Sequence, residues 1–248
     1  MTFTDKVVVI TGASRGIGRA CAILFAEQGA KVVIHYNANR AAAQETLDAC
    51  AGEGHLIVPA DMGNPDGVQF LIDHSIKKLG RIDVLVNNAG VYADHDPNTV
   101  DYPTWQDQWQ HTLAVNLVGA ANAAYLAAKH MADQGGGKIV NVSSRGAFRG
   151  EPTAPAYGAS KAGMNSMSQS LAKAYAHKNI IVTAVAPGWV ETDMAAKYLG
   201  TGIAEQSPLN RVAAPEEIAR AVLFLASEGC EFATGAILDV NGASYLRT

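Results

Sequence analysis

A tyrosine and a lysine four residues apart, Tyr157 and Lys161 in the stretch YGASK, form the pair in this sequence best suited to proton chemistry. Residues at this spacing lie on one face of a helix, so the two side chains would be neighbours. A phenol with an ordinary pKa near ~10 is a poor base at neutral pH, and a nearby ammonium group lowers that pKa. We therefore expect Tyr157 to act as a general acid or base. A lone pair of this kind is more often a solvated surface pair, so the prediction depends on its surroundings.

Two further polar residues precede the pair. Ser144 follows the apolar run Ile139 to Val142, in a turn where its hydroxyl could hydrogen-bond a ligand oxygen. Asn116, in AVNLVG, lies in the middle of a predicted long helix. Taken singly, Ser144 is also compatible with a turn and Asn116 with packing or capping.

The stretch TGASRGIG, Thr11 to Gly18, concentrates three glycines in one turn after the run Val7 to Ile10. Glycines at such a junction let backbone pass where a side chain would collide with a ligand or a neighbouring element. The turn also opens a helix, whose unpaired N–H groups and partial positive charge suit a pyrophosphate. Its spacing, G-x-x-x-G-x-G, departs from the common G-x-G-x-x-G. A purely structural turn is the alternative.

These residues follow strands of one predicted sheet. Short apolar runs alternate with helical patterns along the whole chain. The runs are Val7 to Thr11, Val32 to Ile34, Leu56 to Val58, Val84 to Val86, Ile139 to Val142, Ile180 to Val182 and Ile237 to Val240. Near-continuous apolar strands separated by helices indicate a parallel sheet buried on both faces. We predict an α/β fold: a single-domain, doubly wound, Rossmann-type parallel sheet of about seven strands over residues 1–248. Ligands bind such sheets beyond the carboxyl ends of the strands.

The amino-acid composition argues against several classes of function. Hydrophobic residues make up 48% of the 248 residues and charged residues 17%, and the net charge is -4, which argues against disorder and against a nucleic-acid or anionic-membrane surface. Cys21, Cys50 and Cys230 lack metal-ligand spacing and are expected to be reduced thiols. No signal peptide or membrane span is predicted, so we expect a cytoplasmic protein. The seven histidines lack metal or triad spacing; we expect surface or pocket positions for them and no metal site.

Five segments in order carry a resemblance to a known family. They are the glycine turn, NNAG at Asn87 to Gly90, Asn116, Ser144 with YGASK, and PGWVET at Pro187 to Thr192. Together they resemble the short-chain dehydrogenase/reductase family, and the resemblance extends from Lys6 to about Gly242. Each motif alone is common, but their combination in this order is specific. It implies an NAD(P)(H)-dependent oxidoreductase that transfers a hydride between a nicotinamide cofactor and a carbonyl or secondary alcohol.

The resemblance implies four catalytic residues. Tyr157 would be the acid/base, Lys161 would tune it and hold the nicotinamide ribose, and Ser144 would bind the substrate oxygen. Asn116 would hold a water that links Lys161 to solvent.

The resemblance also implies a cofactor site, with Asp61 and Met62 at the adenine and the Pro187 segment at the nicotinamide. The implied cofactor-binding residues are Gly12, Ser14, Arg15, Gly16, Ile17, Gly18, Tyr36, Asn37, Asp61, Met62, Asn88, Ala89, Gly90, Tyr157, Lys161, Pro187, Gly188, Val190 and Thr192. The segment 193–208 resembles the family's mobile substrate lid.

We predict NADP(H) rather than NAD(H). NAD-binding proteins usually carry an acidic residue after the second strand, whereas HYNANR, His35 to Arg40, has none before Glu45. Arg15 could neutralise a 2′-phosphate, with Tyr36, Asn37 and Arg40 completing the pocket. The alternative is that Arg15 merely faces solvent.

The substrate is less defined. The polar and aromatic stretch from Tyr92 to Trp109 is expected beside the site, with Trp105 either on substrate or packed on the helix entrance. A small ketone, aldehyde or polyol is one possibility, and a 3-oxoacyl chain on acyl carrier protein is another. The acidic carrier would need basic residues, and Lys138 and Lys178 are the candidates near a turn expected beside the site.

Two rival functions have distinct signatures. A non-catalytic dinucleotide sensor would be expected to lose the tyrosine or the lysine, and both are present. An epimerase or dehydratase of the extended branch would carry an additional C-terminal substrate domain, which we do not expect for this chain. The family also implies a homotetramer, formed through the helices after Thr104 and Tyr157 and the strand region 236–243. Small residues (Ala156, Ala159, Ala162 and Gly163) suit close helix contacts there.

Overall fold

The alternating apolar runs form seven parallel strands joined by helices in the computed structural model, which describes residues 2–247. The strands, β1 to β7 in chain order, are Val7–Ile10, Lys31–Tyr36, Leu56–Pro59, Val84–Asn87, Gly137–Val142, Ile180–Pro187 and Ile237–Val240. The helices, α1 to α8, are Gly16–Glu27, Arg40–Ala49, Pro65–Leu79, Tyr102–Leu113, Ala120–Asp133, Gly146–Arg149, Pro155–Tyr175 and Pro215–Ala226.

The strands lie in the order β3-β2-β1-β4-β5-β6-β7, and every neighbouring pair is parallel. This confirms the predicted doubly wound sheet. The order reverses between β1 and β4, so the connections after these strands diverge to opposite faces and leave a crevice at their carboxyl ends.

Each face of the sheet has its own apolar core. Val8 and Ile10 of β1 point to one face, where they join residues of α1 and α8, and Val9 points to the other, where it joins residues of α3 and α5. Successive side chains of a strand alternate between faces, so a run of four apolar residues supplies both cores.

The long central helix differs from the predicted regular one. A π-helical segment, Ala114–Gly119, joins α4 to α5 and contains Asn116. Gly119 allows the close approach of a neighbouring loop, because a Cβ there would lie 2.2 Å from the Met62 carbonyl oxygen. Such π-helical turns are common at functional sites.

Several elements extend beyond their apolar runs. β6 continues to Pro187, five residues past the predicted end, through the buried residues Thr183 and Ala184.

Cys21, Cys50 and Cys230 are free thiols. Among the helices of residues 2–247, none combines the length and apolarity needed to cross a bilayer.

Candidate active site

A cavity of about 410 Å³ opens at the carboxyl ends of the strands, around the crevice between β1 and β4. All of the residues predicted for the site line it except Gly18, Asn116 and Arg40. The predicted residues that line it are Gly12, Ser14, Arg15, Gly16, Ile17, Tyr36, Asn37, Asp61, Met62, Asn88, Ala89, Gly90, Ser144, Tyr157, Lys161, Pro187, Gly188, Val190 and Thr192. Seven separate segments of the chain thus converge on one space.

The glycine turn between β1 and α1 is held by the adjacent segments. Gly12 and Gly16 have positive φ angles of 65° and 55°, which favour glycine. The side-chain amide of Asn88 donates to the carbonyl oxygens of Thr11 (2.9 Å) and Gly12 (3.0 Å). A Cβ on Gly18 would lie 2.3 Å from the Gly12 carbonyl oxygen. Gly18 therefore serves the packing of the turn, not the lining of the cavity.

His35 is a site residue that the sequence analysis missed. It is buried at the end of β2, where Nδ1 accepts from the Gly12 N–H (2.9 Å) and Nε2 donates to the Ala60 carbonyl (2.9 Å). Burial lowers the pKa of His35 and favours the neutral ring that this pairing needs. A histidine inside an apolar strand was the available signal.

His95, unlike His35, departs from the predicted surface or pocket position. It is buried, and its Nε2 accepts from the Ala156 N–H at the start of α7 (3.1 Å). Its role in the structure is to tie the loop before α4 to the helix that carries Tyr157.

Tyr157 and Lys161 share one face of α7, as predicted. The Lys161 ammonium group is buried, donates to the Val142 carbonyl oxygen (2.8 Å) and lies 5.8 Å from the centre of the Tyr157 ring. Burial lowers the pKa of Lys161 to about 8. The expected lowering of the Tyr157 pKa is not found. Burial raises the pKa of Tyr157 to about 12, although a hydrogen bond from Ser144 opposes the shift.

The two serines after β5 point in different directions. The Ser143 hydroxyl is buried and donates to the Lys161 carbonyl oxygen (3.3 Å). The Ser144 hydroxyl accepts from the Gly146 N–H (3.0 Å), and its interaction with the Tyr157 phenol opposes the rise in the pKa of that phenol. Ser144 is therefore the serine beside the phenol.

Asn116 contacts the site through its neighbours. Its side-chain oxygen accepts from the Val91 N–H (2.8 Å), and its amide donates to the Val91 carbonyl (3.0 Å) and to the Ser160 hydroxyl (3.2 Å). These bonds fix the segment after β4 against α7, next to Lys161. The side chain is fully buried and engaged by the protein itself.

At the β2 end of the cavity, Tyr36 is buried and Asn37 is exposed. Arg15 donates to Asp193 (3.0 Å), and both side chains are about seven-tenths exposed (72% and 71%). Arg40 is exposed and is not among the cavity-lining residues, so its predicted part in the pocket is not supported. Glu45 is paired with Arg19 (3.7 Å).

A dinucleotide fits these surroundings. Gly16 and Ile17, which open α1, line the cavity at the glycine turn, and the buried Lys161 lines it as well. A Cβ on Gly16 would lie 3.0 Å from Thr192 Cγ2, so a side chain there would narrow the cavity.

A Cβ on Gly188 would lie 3.1 Å from the Asn241 backbone. Gly188 therefore allows the turn after β6 to pack on the segment after β7.

Further residues line the cavity around Tyr157. Tyr92 comes from the stretch predicted beside the site, and Met194 and Ala195 come from the predicted lid; Arg145, Glu151 and Trp189 were not singled out from the sequence. The Tyr92 and Tyr157 ring centres lie 4.9 Å apart. Trp105 instead packs on His95 and Trp109, with ring centres 5.7 Å apart in both pairs, which settles its two predicted alternatives in favour of packing.

The segment 193–208 lies over this part of the cavity. Lys197 pairs with Asp94 (2.6 Å), and the Tyr198 hydroxyl donates to the same carboxylate. The Trp189 indole donates to Gln206 (3.2 Å). Side-chain bonds hold the segment at a few points over the cavity.

The basic residues considered for a carrier protein lie elsewhere. Lys138 and Lys178 stand at the amino ends of β5 and β6, whereas the cavity is at the carboxyl ends. Lys138 is also paired with Glu231 (2.8 Å). The prediction that the turn before Lys138 lies near the site is therefore wrong, because parallel strands place their two ends at opposite edges of the sheet.

Comparison with known proteins agrees with this arrangement. A family model described as Enoyl-(Acyl carrier protein) reductase matches residues 12–243. The chain is 39% identical over 246 residues to Cis-4-hydroxycyclohexanecarboxylate dehydrogenase from Sinomonas cyclohexanicum, covering 97% of this chain and 96% of the relative. It is 37% identical over 246 residues to a 3-oxoacyl-[acyl-carrier-protein] reductase from Synechocystis sp., covering 98% of each. The crystal structure of acetoin dehydrogenase YohF from Salmonella typhimurium is similar, with a TM-score of 0.85, 35% identity and coverage of 98% of this chain and 95% of that one.

The fold, the convergent motifs and these relatives agree. The chain belongs to the short-chain dehydrogenase/reductase family, and it is an oxidoreductase that interconverts alcohol and carbonyl groups with a nicotinamide cofactor.

Proposed function

We propose that the chain reduces a small carbonyl compound, or oxidises the corresponding secondary alcohol, with Tyr157 as the acid/base and with NADP(H) as the preferred cofactor. The observation that carries the proposal is the convergence of Ser144, Tyr157 and Lys161 on the cavity that the glycine turn enters. A dinucleotide sensor would need none of these three groups beside its ligand.

A nicotinamide cofactor held at this site would supply the hydride chemistry, and the residues of the chain would bind the substrate oxygen and move its proton. Ser144 donates a hydrogen bond to the substrate oxygen and stabilises the charge that develops on it. Tyr157 gives that oxygen its proton in reduction and removes the proton in oxidation. Its raised pKa keeps the phenol protonated, which suits the donor role.

Lys161 supports the proton transfer electrostatically. Its ammonium group lies near enough to Tyr157 to stabilise the phenolate left after proton donation. In the proposal it also binds the ribose next to the nicotinamide. Asn116 acts as a positioning residue, because its side chain fixes Val91 and Ser160 around the lysine.

The preference for NADP(H) rests on charge at the β2 end. No carboxylate stands between the end of β2 and Glu45. Glu45 itself is paired with Arg19. Arg15 lines the cavity, and its present bond to Asp193 is a surface pair, which contributes only about 0–1 kcal/mol. A 2′-phosphate would be a stronger partner for Arg15, with Tyr36 and Asn37 beside it.

A small alcohol or carbonyl substrate is favoured over a carrier-bound acyl chain. The Sinomonas relative is named for the substrate cis-4-hydroxycyclohexanecarboxylate, and the Synechocystis relative is named for a 3-oxoacyl chain on acyl carrier protein. The position of Lys138 and Lys178 at the far edge of the sheet removes the basic surface considered for the carrier.

We also propose that segment 193–208 is the substrate lid. Residues 1–248 act as one domain in the cytoplasm, and four chains assemble.

The test follows NADPH fluorescence and absorbance with the purified protein. Binding of NADPH, followed by its oxidation when cyclohexanone, acetoin or another small ketone is added, is the expected result. Tight NADPH binding without oxidation across a broad panel of carbonyl compounds would favour the sensor instead. Oxidation with only a 3-oxoacyl carrier protein would favour the carrier-bound substrate.

A further inference from the structure

Arg145 is a buried arginine at the substrate end of the cavity. It directly follows Ser144, lines the cavity and is only 3% exposed. Its backbone N–H donates to the Pro187 carbonyl oxygen (2.9 Å), which fixes this position between the tips of β5 and β6. The side chain therefore starts from a rigid point beside the proposed reaction centre.

The guanidinium group is only partly satisfied. Nη2 donates to the side-chain oxygen of Gln206, which also accepts from the Trp189 indole. Nη1 is buried and has no hydrogen-bond partner within residues 2–247. No carboxylate of that part of the chain lies within 4.0 Å of Arg145, since the ion pairs there involve other bases.

The nearby acidic residues already have partners. Glu151 pairs with Arg149 (3.5 Å), Asp94 pairs with Lys197 (2.6 Å), and Asp193 pairs with Arg15. A buried guanidinium without a carboxylate within 4.0 Å is unfavourable, and an N–H without a partner beside a cavity offers a charge-assisted bond to a ligand oxygen. Burial lowers the pKa of Arg145 to about 10, so the group stays charged at neutral pH.

We propose that Arg145 is a specificity-determining residue that binds a carboxylate of the substrate, so that the preferred substrate is a small hydroxy or oxo acid. The proposal rests on the proposed function, because it assigns the substrate class of the same site. The fixed charge of Glu151 in the same cavity favours a singly charged carboxylate over a doubly charged phosphate. Gln206 covers the group from segment 193–208, so the carboxylate would enter beneath this segment.

The test measures binding of three matched pairs to the protein saturated with NADP⁺: butyrate, cyclohexanecarboxylate and benzoate, each against its primary amide. We expect at least one acid to bind about tenfold or more tightly than its amide, the size of a hydrogen bond to a charged group. Arg145→Met should abolish the preference. Arg149→Met, which removes a nearby arginine paired with Glu151, should retain it.

Arg145→Met removes a buried charged group, and a loss of acid binding by a misfolded protein would look the same. A second variant therefore tests the proposal without removing Arg145. Gln206→Glu places a carboxylate against Arg145 and should reduce the acid preference about tenfold while NADPH binding is unchanged. Equal binding of acids and amides by the wild type, or an acid preference that survives Arg145→Met or Gln206→Glu, would overturn the proposal. Oxidation of NADPH by neutral cyclohexanone would show in the same preparation that the proposed function holds independently.

Discussion

At the residue scale, burial acts oppositely on the two members of the YxxxK pair. Removing water disfavours a charged group, so the pKa of Lys161 falls to about 8 and that of Tyr157 rises to about 12. Both shifts come from the same desolvation. The lysine is therefore the group that titrates nearer to neutral pH.

This shift predicts an alkaline limb in the pH profile. Lys161 carries its proton below about pH 8 and loses it above, and the neutral amine neither stabilises the phenolate nor attracts the cofactor as well. The value of kcat/KM with NADPH as the varied substrate reports the free enzyme, and it should fall as pH rises through about 8. A profile that stays flat to pH 10 would contradict the assignment of Lys161.

The cofactor preference is a second residue-scale prediction. Wild type should have a higher kcat/KM for NADPH than for NADH. Arg15→Ala should reduce this preference roughly tenfold or more because a charge-assisted bond to the 2′-phosphate is lost. Asn37→Asp should reduce it as well, because the new carboxylate repels the phosphate. Arg19→Ala, which removes a nearby arginine paired with Glu45, is the matched control. Equal use of NADH and NADPH by wild type would show the Arg15 argument to be wrong.

At the element scale, the glycine turn is shaped by the chain's own contacts as much as by a ligand. Asn88 and His35 hold its backbone from two neighbouring strands, and Gly18 leaves room for the first of them. The turn is thus positioned before any cofactor binds.

Gly18→Ala tests this arrangement. The new Cβ would lie 2.3 Å from the Gly12 carbonyl and 2.5 Å from the Asn88 amide, so the turn must shift. Such overpacking typically costs ~1–3 kcal/mol, and we expect the Kd of NADPH to rise roughly tenfold or more. Arg19→Ala changes the next residue of α1 on its exposed side and should leave the Kd unchanged. Unaltered NADPH binding by Gly18→Ala would refute the packing role.

The sequence predicted elements and motif positions well but missed contacts between distant segments. Apolar runs mark β1 and β4 clearly because their side chains fill two cores. The extension of β6 was missed because Thr183 and Ala184 are buried without being strongly apolar. The π-helical turn that contains Asn116 packs at Gly119 against the Met62 loop, and no local pattern reveals this contact.

The same limit applies inside the site. Tyr157, Lys161 and Ser144 were predicted by a local spacing and a family pattern. His35 and Arg145 have no motif, and their importance comes from partners about 25 and 60 residues away, Ala60 and Gln206. A charged residue directly after Ser144, at the tip of a parallel strand, was a usable signal for Arg145.

At the scale of the whole molecule, exposed apolar side chains support the proposed tetramer. One group lies along the helix from α4 to α5 (Tyr102, Val118 and Tyr125), and another lies near β7 (Phe224, Phe232, Leu238 and Leu246).

The small residues of α7, which were predicted to form close contacts between chains, divide into an exposed set and a set that packs within the chain. Ala159 and Ala162 are exposed, whereas Ala156 is buried and Gly163 packs on Leu117 of the same chain.

Light scattering should therefore give about four times the chain mass of 26.0 kDa. Ala162→Arg places a charge on the exposed face of α7 and should yield smaller particles, whereas Ala41→Arg on the exposed face of α2 should not. A particle of about 26.0 kDa for the wild type at micromolar concentration would refute the assembly.

The central claim is that Tyr157 transfers the proton, and Tyr157→Phe tests it most directly. This variant removes one hydroxyl, and Tyr175→Phe removes a hydroxyl from the far end of the same helix as a control. We predict that kcat of Tyr157→Phe falls by ~10² or more while NADPH affinity is nearly unchanged, and that Tyr175→Phe matches wild type. Retention of more than about a tenth of wild-type kcat by Tyr157→Phe would contradict general acid/base catalysis by this residue.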